Sequence, residues 1–243
     1  DRRQRQMCIR DRYYLCDKAG IYVMAETNLE SHGTFQKLGA IEPSCNVPGS
    51  IPQWREVVLD RAISNFETFK NHTSVLFWSL GNESYAGDDL GAMNTYFKEK
   101  RDGRLVHYES SFYNRAYEDT ISDVESRMYA KPKEVEEYLN NNPKKPYLLC
   151  EFMHDMGNSM GGLGSYMKLI DQYEMYHGGF IWDFIDQAIL IRDPVTGKEV
   201  LRYGGDFDDR PADYEFSANG IVFADRKEKP AMQEVRYYYG LYR

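Results

Sequence analysis

Residues 74–84 read SVLFWSLGNES. The run VLFWSL at 75–80 is short and nearly all apolar, and it stops abruptly at Gly81-Asn82-Glu83. A continuous run of this kind suits a strand covered on both faces, as strands of a parallel sheet are. Polar groups placed just past the C-terminal end of such a strand are what an α/β barrel presents at its functional mouth.

The same grammar recurs on both sides. Upstream, IYVMA at 21–25 is unbroken and is followed by Glu26, Thr27 and Asn28. Pro52 then precedes a predicted helix over 53–70, in which Trp54, Val58, Ala62, Phe66 and Phe69 fall on one apolar stripe. Downstream, weaker strands are predicted at 105–108 and 124–129, and a short charged helix at 132–142, closed by Pro143 and Pro146. YLLC at 147–150 is a clear strand that delivers Glu151. A helix is predicted over 166–176, and Gly178-Gly179 leads into FIWDFI at 180–185. From about residue 196 the chain turns rich in Gly and Asp and reads as a long loop before 220–223.

Strands alternating with helices mean parallel βαβ units with right-handed crossovers. Six strand candidates without a dinucleotide fingerprint favour a (β/α)8 barrel over a doubly wound sheet. The polar residues that follow these strands are 26–28, Asn82, Glu83, Tyr129, Glu151 and Asp183 or Asp186.

Composition narrows the function classes. The 243 residues are 42% hydrophobic and 28% charged, as a globular domain requires. A formal charge of −8 argues against nucleic acid and fits a neutral substrate. No apolar run approaches the roughly 20 residues of a membrane span. The 20 Tyr and 3 Trp fit a sugar cleft, although core packing is the commoner use of aromatics. Cys8, Cys16, Cys45 and Cys150 form no CxxC pair or zinc pattern. Cys16 and Cys150 read as buried thiols, pointing to a reducing, cytoplasmic setting.

Glu83 and Glu151 each end a buried-type strand, and in a barrel both would point into one mouth. Two carboxylates about 5–5.5 Å apart are the geometry of retaining glycoside hydrolysis. Like charges that close cannot both ionise, so one carboxyl stays protonated as the acid while the other attacks. Taken alone, a Glu after a strand is more often a surface ion pair.

The stretch SVLFWSLGNES resembles the acid/base motif of glycoside hydrolase family 2. YLLCEFMHDMGNSMGG at 147–162 is similar to the nucleophile segment of the β-galactosidase branch of that family. ETNLESHG (26–33), GGFIWDFIDQ (178–187) and YGGDFDDRP…FSANGIVFADR (203–226) match in the family's order, so the resemblance runs from about Tyr13 to Tyr239. It implies retaining hydrolysis of terminal β-galactosides, with Glu83 as acid/base, Glu151 as nucleophile and Tyr129 beside that nucleophile. It also implies sugar contacts from Asn82, His154, Trp182 and Asn219. Glu30, His32 and Glu83 would hold Mg2+, and Phe216 and Asn219 would hold Na+. Read blind, Tyr129 and Trp182 are as well explained by core packing, and Glu30 with His32 by a solvated loop.

The pattern breaks at the start. Residues 1–12, DRRQRQMCIRDR, carry seven charges and no histidine where the family has a strand. They read as a non-family segment, an artefactual addition or a solvated basic arm, with residues 13–243 as the barrel domain. By the resemblance, about the first two barrel strands are missing. The alternatives are another family 2 glycosidase such as a β-glucuronidase, a metal-dependent hydrolase at Glu30, His32 and Glu83, or an inactive fragment that keeps the motifs. Full-length relatives are expected to form homo-oligomers.

Overall fold

A computed structural model describes residues 2–31, 46–212 and 214–242. The chain forms two compact units, Asp1–Ser126 and Arg127–Arg243.

In the first unit, helix α1 (Arg2–Ala19) precedes strand β1 (Val23–Glu26). Helix α2 (Pro52–Phe69), strand β2 (Val75–Ser79), helix α3 (Asp88–Glu99) and strand β3 (Leu105–His107) follow. The three strands form one parallel sheet in the order β1-β2-β3, with Ala25 opposite Trp78 and Trp78 opposite Val106. Pro52 starts α2 at the position where its missing N–H costs nothing. Asp88 and Asp89 occupy the first turn of α3, where the helix dipole favours negative charge.

The core of this unit joins Val58, Ala62 and Phe66 of α2 to Leu90, Met93 and Phe97 of α3 through the strand residues Ala25, Val75, Trp78 and Val106. Trp78 stacks on Phe97 with ring centroids 5.5 Å apart, and its indole N–H donates to Asp102 Oδ2 at 3.0 Å. Side chains of this size contribute about 1.5–3 kcal/mol each when fully buried. Trp54 does not belong to the stripe predicted for it and is 42% exposed. The buried face of α2 is carried instead by Val58, Ala62, Asn65 and Phe66. Strand β1 begins two residues later than predicted, leaving Ile21 and Tyr22 exposed.

A short helix α4 (Glu118–Ile121) leads to strand β4 (Glu125–Arg127), where the chain passes from one unit to the other. The second unit then runs through helix α5 (Pro132–Asn140), strand β5 (Tyr147–Phe152), helix α6 (Gly164–Gln172) and strand β6 (Tyr176–Ile181). Strands β7 (Ile189–Arg192) and β8 (Glu199–Arg202) form an antiparallel hairpin, and helix α7 (Ala231–Leu241) ends the unit. Strand β5 pairs parallel with β6. Tyr147, Leu149 and Phe152 of β5 pack with Met167 and Leu169 of α6, Tyr176 of β6 and Val135 of α5.

Three predictions need correction here. Strand β6 starts at Tyr176, so Gly178 and Gly179 lie inside it and Trp182 lies just past its end. A Cβ on Gly179 would stand 2.6 Å from the Leu149 Cβ, so glycine there serves close strand approach rather than a turn. Correspondingly, α6 stops at Gln172, short of the predicted 176. The loop predicted from about residue 196 to 220 is interrupted by strand β8 and by a 3-10 turn at Tyr214–Ser217. Cys150 is buried as expected, whereas Cys16 is only half-buried. Among the described residues, no helix is long and apolar enough to cross a membrane.

Candidate active site

The first unit presents Glu83 on a turn held from several sides. Gly81 (φ +143°) sits where a Cβ would lie 2.5 Å from the Leu29 carbonyl oxygen, so only glycine passes. Next, the Asn82 N–H donates to that carbonyl at 2.8 Å, and Glu30 bridges Asn82 in parallel register. Glu30 and Glu83 therefore leave neighbouring points of one extended ladder. Glu83 itself has φ +38°, an uncommon backbone for a residue with a side chain.

That conformation is supported by buried groups. The Glu83 N–H donates to Glu109 Oε1 at 2.8 Å, and the Ser110 hydroxyl donates to Glu109 Oε2 at 2.6 Å. Glu109 is buried. The Ser84 N–H donates to the Tyr108 hydroxyl at 2.9 Å, and that hydroxyl donates in turn to the Ser84 carbonyl. Burial, with Glu109 adding to it, holds the Tyr108 phenol well above its ordinary pKa and so keeps it a donor. Below this turn, the Ser79 hydroxyl lies 2.9 Å from Glu26 Oε2 and 3.0 Å from His107 Nδ1. His107 Nε2 lies 2.8 Å from the Ser126 hydroxyl. Burial pushes His107 down to about 3, so the ring is neutral at physiological pH.

The second unit presents Glu151 inside β5. Tyr129 meets it twice: its N–H donates to the Glu151 carbonyl at 2.8 Å, and its hydroxyl donates to Glu151 Oε2 at 2.5 Å. The tyrosine has φ +52°, which aims the ring back at the strand. Burial first, then the Glu151 charge, raise the Tyr129 pKa, so the phenol stays protonated. The His154 ring stands 5.8 Å from Tyr129 and 5.5 Å from Phe216. Burial pulls His154 below its ordinary pKa, against the opposing charges of Asp183 and Asp155.

Backbone bonds tie the rest of the group together. The Trp182 carbonyl accepts from the Asp155 N–H at 3.0 Å, and the Asp183 N–H donates to the Asn219 carbonyl at 2.8 Å. The Asn219 amide donates to the Phe216 carbonyl at 2.5 Å. Trp182 Nε1, Asn219 Oδ1 and Asp155 Oδ2 are among the buried side-chain atoms with no hydrogen-bond partner in the described residues. A buried polar group without a partner costs about 1–3 kcal/mol, a cost that a bound water or ligand removes.

The expected residues thus fall into two groups. Glu30, Asn82 and Glu83 gather in the first unit, and Tyr129, Glu151, His154, Trp182, Phe216 and Asn219 in the second. His32 lies outside the described residues. Sequence reading missed Tyr108 and Glu109, although HYES at 107–110 is a polar cluster at a strand end and the signal was available. Lys229 also escaped, for two of its three acceptors are backbone carbonyls, whereas Asp186 was named only as one of two candidates after its strand.

In the second unit a carboxylate held by a tyrosine hydroxyl, with a histidine ring beside that tyrosine, is the kind of group a glycosidase uses. The chain matches the family model described as "Glycosyl hydrolases family 2, TIM barrel domain" over residues 9–243, and it belongs to that family. It is 68% identical over 231 residues to the "Beta-galactosidase large subunit" of Lactobacillus acidophilus, covering 95% of this chain and 37% of that protein. Its identity to the protein of the same name from Lactobacillus helveticus is 69%, with the same coverage. The chain therefore spans little more than a third of the length of these relatives. Among solved structures it is similar to a GH2 beta-galacturonidase from Eisenbergiella tayi, with a TM-score of 0.60 at 16% identity, over 93% of this chain and 42% of that one. At that identity the likeness shows the fold alone, which agrees with a TIM-barrel domain.

Proposed function

We propose that this chain carries the retaining hydrolysis of terminal β-D-galactosides, with Glu151 as nucleophile and Glu83 as acid/base. The observation that carries the reading is the 2.5 Å bond from the Tyr129 hydroxyl to Glu151 Oε2. A donor on a carboxylate favours the ionised form, which is the form that attacks. The names of the relatives at 68–69% identity supply the sugar.

In the first step a Glu151 oxygen bonds to the anomeric carbon, the bond to the aglycone oxygen breaks, and the Glu83 proton passes to that oxygen. In the second, Glu83 takes a proton from water, the water oxygen bonds to the anomeric carbon, and Glu151 leaves. Tyr129 donates to the nucleophile as its ester breaks. Neutral His154 can donate from one ring nitrogen and accept at the other, as a sugar hydroxyl requires. Trp182 Nε1 and Asn219 Oδ1 offer one donor and one acceptor that sugar hydroxyls would satisfy.

The donor sets fit the two ions. Glu30 and Glu83, with His32, would hold Mg2+; carboxylate oxygens suit a hard cation, and the backbone bridge of Glu30 to Asn82 supports the reading for the two glutamates. Bound there, the ion would temper the charge on Glu83. The Phe216 carbonyl, with Asn219 beside it, would hold Na+. A uronate substrate would call for a cation facing its carboxylate. The buried Lys229 does not serve, because its N–H groups go to Asp186, Gly157 and Ala218.

The test is hydrolysis of an aryl β-galactoside by the intact protein that carries this chain, with Mg2+ present. The parent is expected to release β-galactose first, seen by NMR of the fresh product, while Glu151→Gln and Glu83→Gln lose turnover. First release of α-galactose would exclude retention, and full activity of Glu151→Gln would exclude the assigned nucleophile.

A further inference from the structure

We propose that Lys229 is a positioning residue of the sugar side of the site, anchored by Asp186 and tying the backbone that carries His154 to the backbone that carries Asn219. The functional consequence rests on the galactosidase reading; the tie itself rests on geometry.

The Lys229 and Asp186 side chains are each 1% exposed, and Nζ lies 2.8 Å from Asp186 Oδ1. The other two N–H bonds go to the carbonyls of Gly157 and Ala218, each at 3.0 Å. An ammonium has three donors, and here three acceptors take them. Asp186 is equally committed. Its Oδ1 also accepts the Gly220 N–H at 2.8 Å, and its Oδ2 accepts the Tyr203 hydroxyl at 3.2 Å. Gly220 has no room for a side chain, since a Cβ would lie 2.2 Å from the Asp186 nitrogen.

Each end of the tie reaches a residue of the site. Gly157 follows His154 by three positions, in a turn where the Ser159 hydroxyl donates to the His154 carbonyl at 3.0 Å and the Met160 N–H donates to Asp155 Oδ1 at 3.0 Å. Ala218 directly precedes Asn219, and its carbonyl also accepts the Gly157 N–H at 2.9 Å. One cation thus fixes two loops that have no strand pairing with each other. A buried ion pair adds little net stability over an apolar pair of equal volume, so its use here is placement. Removing one partner is different, because the remaining charge is then buried uncompensated.

The charge-balanced variant K229M/D186N tests this in the intact protein, with K229M beside it. Hydrogen exchange in the parent should show the Gly157 and Gly220 amides protected relative to the exposed hairpin turn at 193–197. The double variant should keep its near-UV signature and the protection of β5, lose protection at 157 and 218–220, and raise KM for an aryl β-galactoside about tenfold with kcat changed less than threefold. An unprotected Gly157 amide in the parent, or unchanged protection in the variant, would overturn the tie. Lost protection with KM within twofold of the parent would overturn its role toward the sugar. Failure of both variants to fold would make the pair part of the scaffold and would likewise overturn that role. A parent inert toward galactosides would sink the galactosidase reading instead, and the exchange data would still decide the tie.

Discussion

Tyr129 holds Glu151 by two bonds at once, the hydroxyl to Oε2 at 2.5 Å and the N–H to the carbonyl at 2.8 Å. The carboxylate and its own peptide are therefore set by a single residue, itself in a left-handed backbone conformation. A mobile nucleophile would have to be ordered in each turnover; in the proposed role Glu151 would be ordered beforehand.

Removing the hydroxyl isolates that effect. In Tyr129→Phe the ring remains and the bond to Glu151 is lost. A hydrogen bond to a charged group contributes about 1.5–3 kcal/mol, so kcat should fall about 10- to 150-fold with little change in KM. The ionised Glu151 also loses a favouring donor, so its pKa rises and the acid limb of kcat/KM moves to higher pH. A limb that stays in place, measured with an aryl β-galactoside across pH 4–9, would count against Tyr129 as the group that stabilises the charge.

Glu109 acts on the other carboxylate through the backbone. Its Oε1 accepts the Glu83 N–H at 2.8 Å, and a negative charge there would oppose ionisation of Glu83. In Glu109→Gln the charge goes while an acceptor oxygen stays. The basic limb of the pH profile, which reports the protonated acid, should shift to lower pH, and urea unfolding should show a loss of about 1–2 kcal/mol. Unchanged limbs with lowered stability would make Glu109 a purely structural support.

The two carboxylates and the strands that deliver them were legible because apolar runs such as 75–80 and 147–150 admit few readings. Tyr129 and Trp182 acquired roles through the family motif, since either would pack equally well in a core. Strand β6 was misplaced because Gly178-Gly179 looks like a turn, and only the approach of Leu149 explains glycine inside a strand. The β7–β8 hairpin had a readable turn at Asp193, whose carboxylate takes the N–H groups of Val195 and Thr196. Asp186 was legible only as one of two acidic candidates after its strand, and Lys229 was not legible at all. Two of the three Lys229 acceptors are the carbonyls of Gly157 and Ala218, and backbone groups leave no mark in a sequence.

Stability should depend on His107 in a defined pH window. Burial lowers its pKa to about 3, while an exposed imidazole titrates near about 6.5. Between those values the unfolded chain binds a proton that the folded chain refuses. The contribution is therefore complete above pH about 6.5 and is lost as the pH falls toward 3. In His107→Gln this part of the slope should vanish, so the variant should lose less stability than the parent between pH 7 and pH 5 in urea unfolding. An equal loss in both proteins would show that His107 is not the group responsible.

Trp182 offers a test of what the unpaired atoms are for. Its Nε1 is buried and has no partner among the described residues, while its backbone is fixed by Phe152 and Asp155. If a sugar hydroxyl is the missing partner, Trp182→Phe keeps an aromatic face and removes only the donor. A neutral hydrogen bond contributes about 0.5–1.5 kcal/mol, so KM should rise roughly 2- to 12-fold. The sign for stability is opposite, because a buried donor that nothing pairs in the free protein costs energy. The phenylalanine variant, relieved of that cost, should unfold at equal or higher urea concentration despite the smaller ring. Weaker binding together with undiminished stability would identify the indole N–H as a sugar contact. A variant that binds galactoside like the parent but unfolds earlier would show that Trp182 serves packing alone.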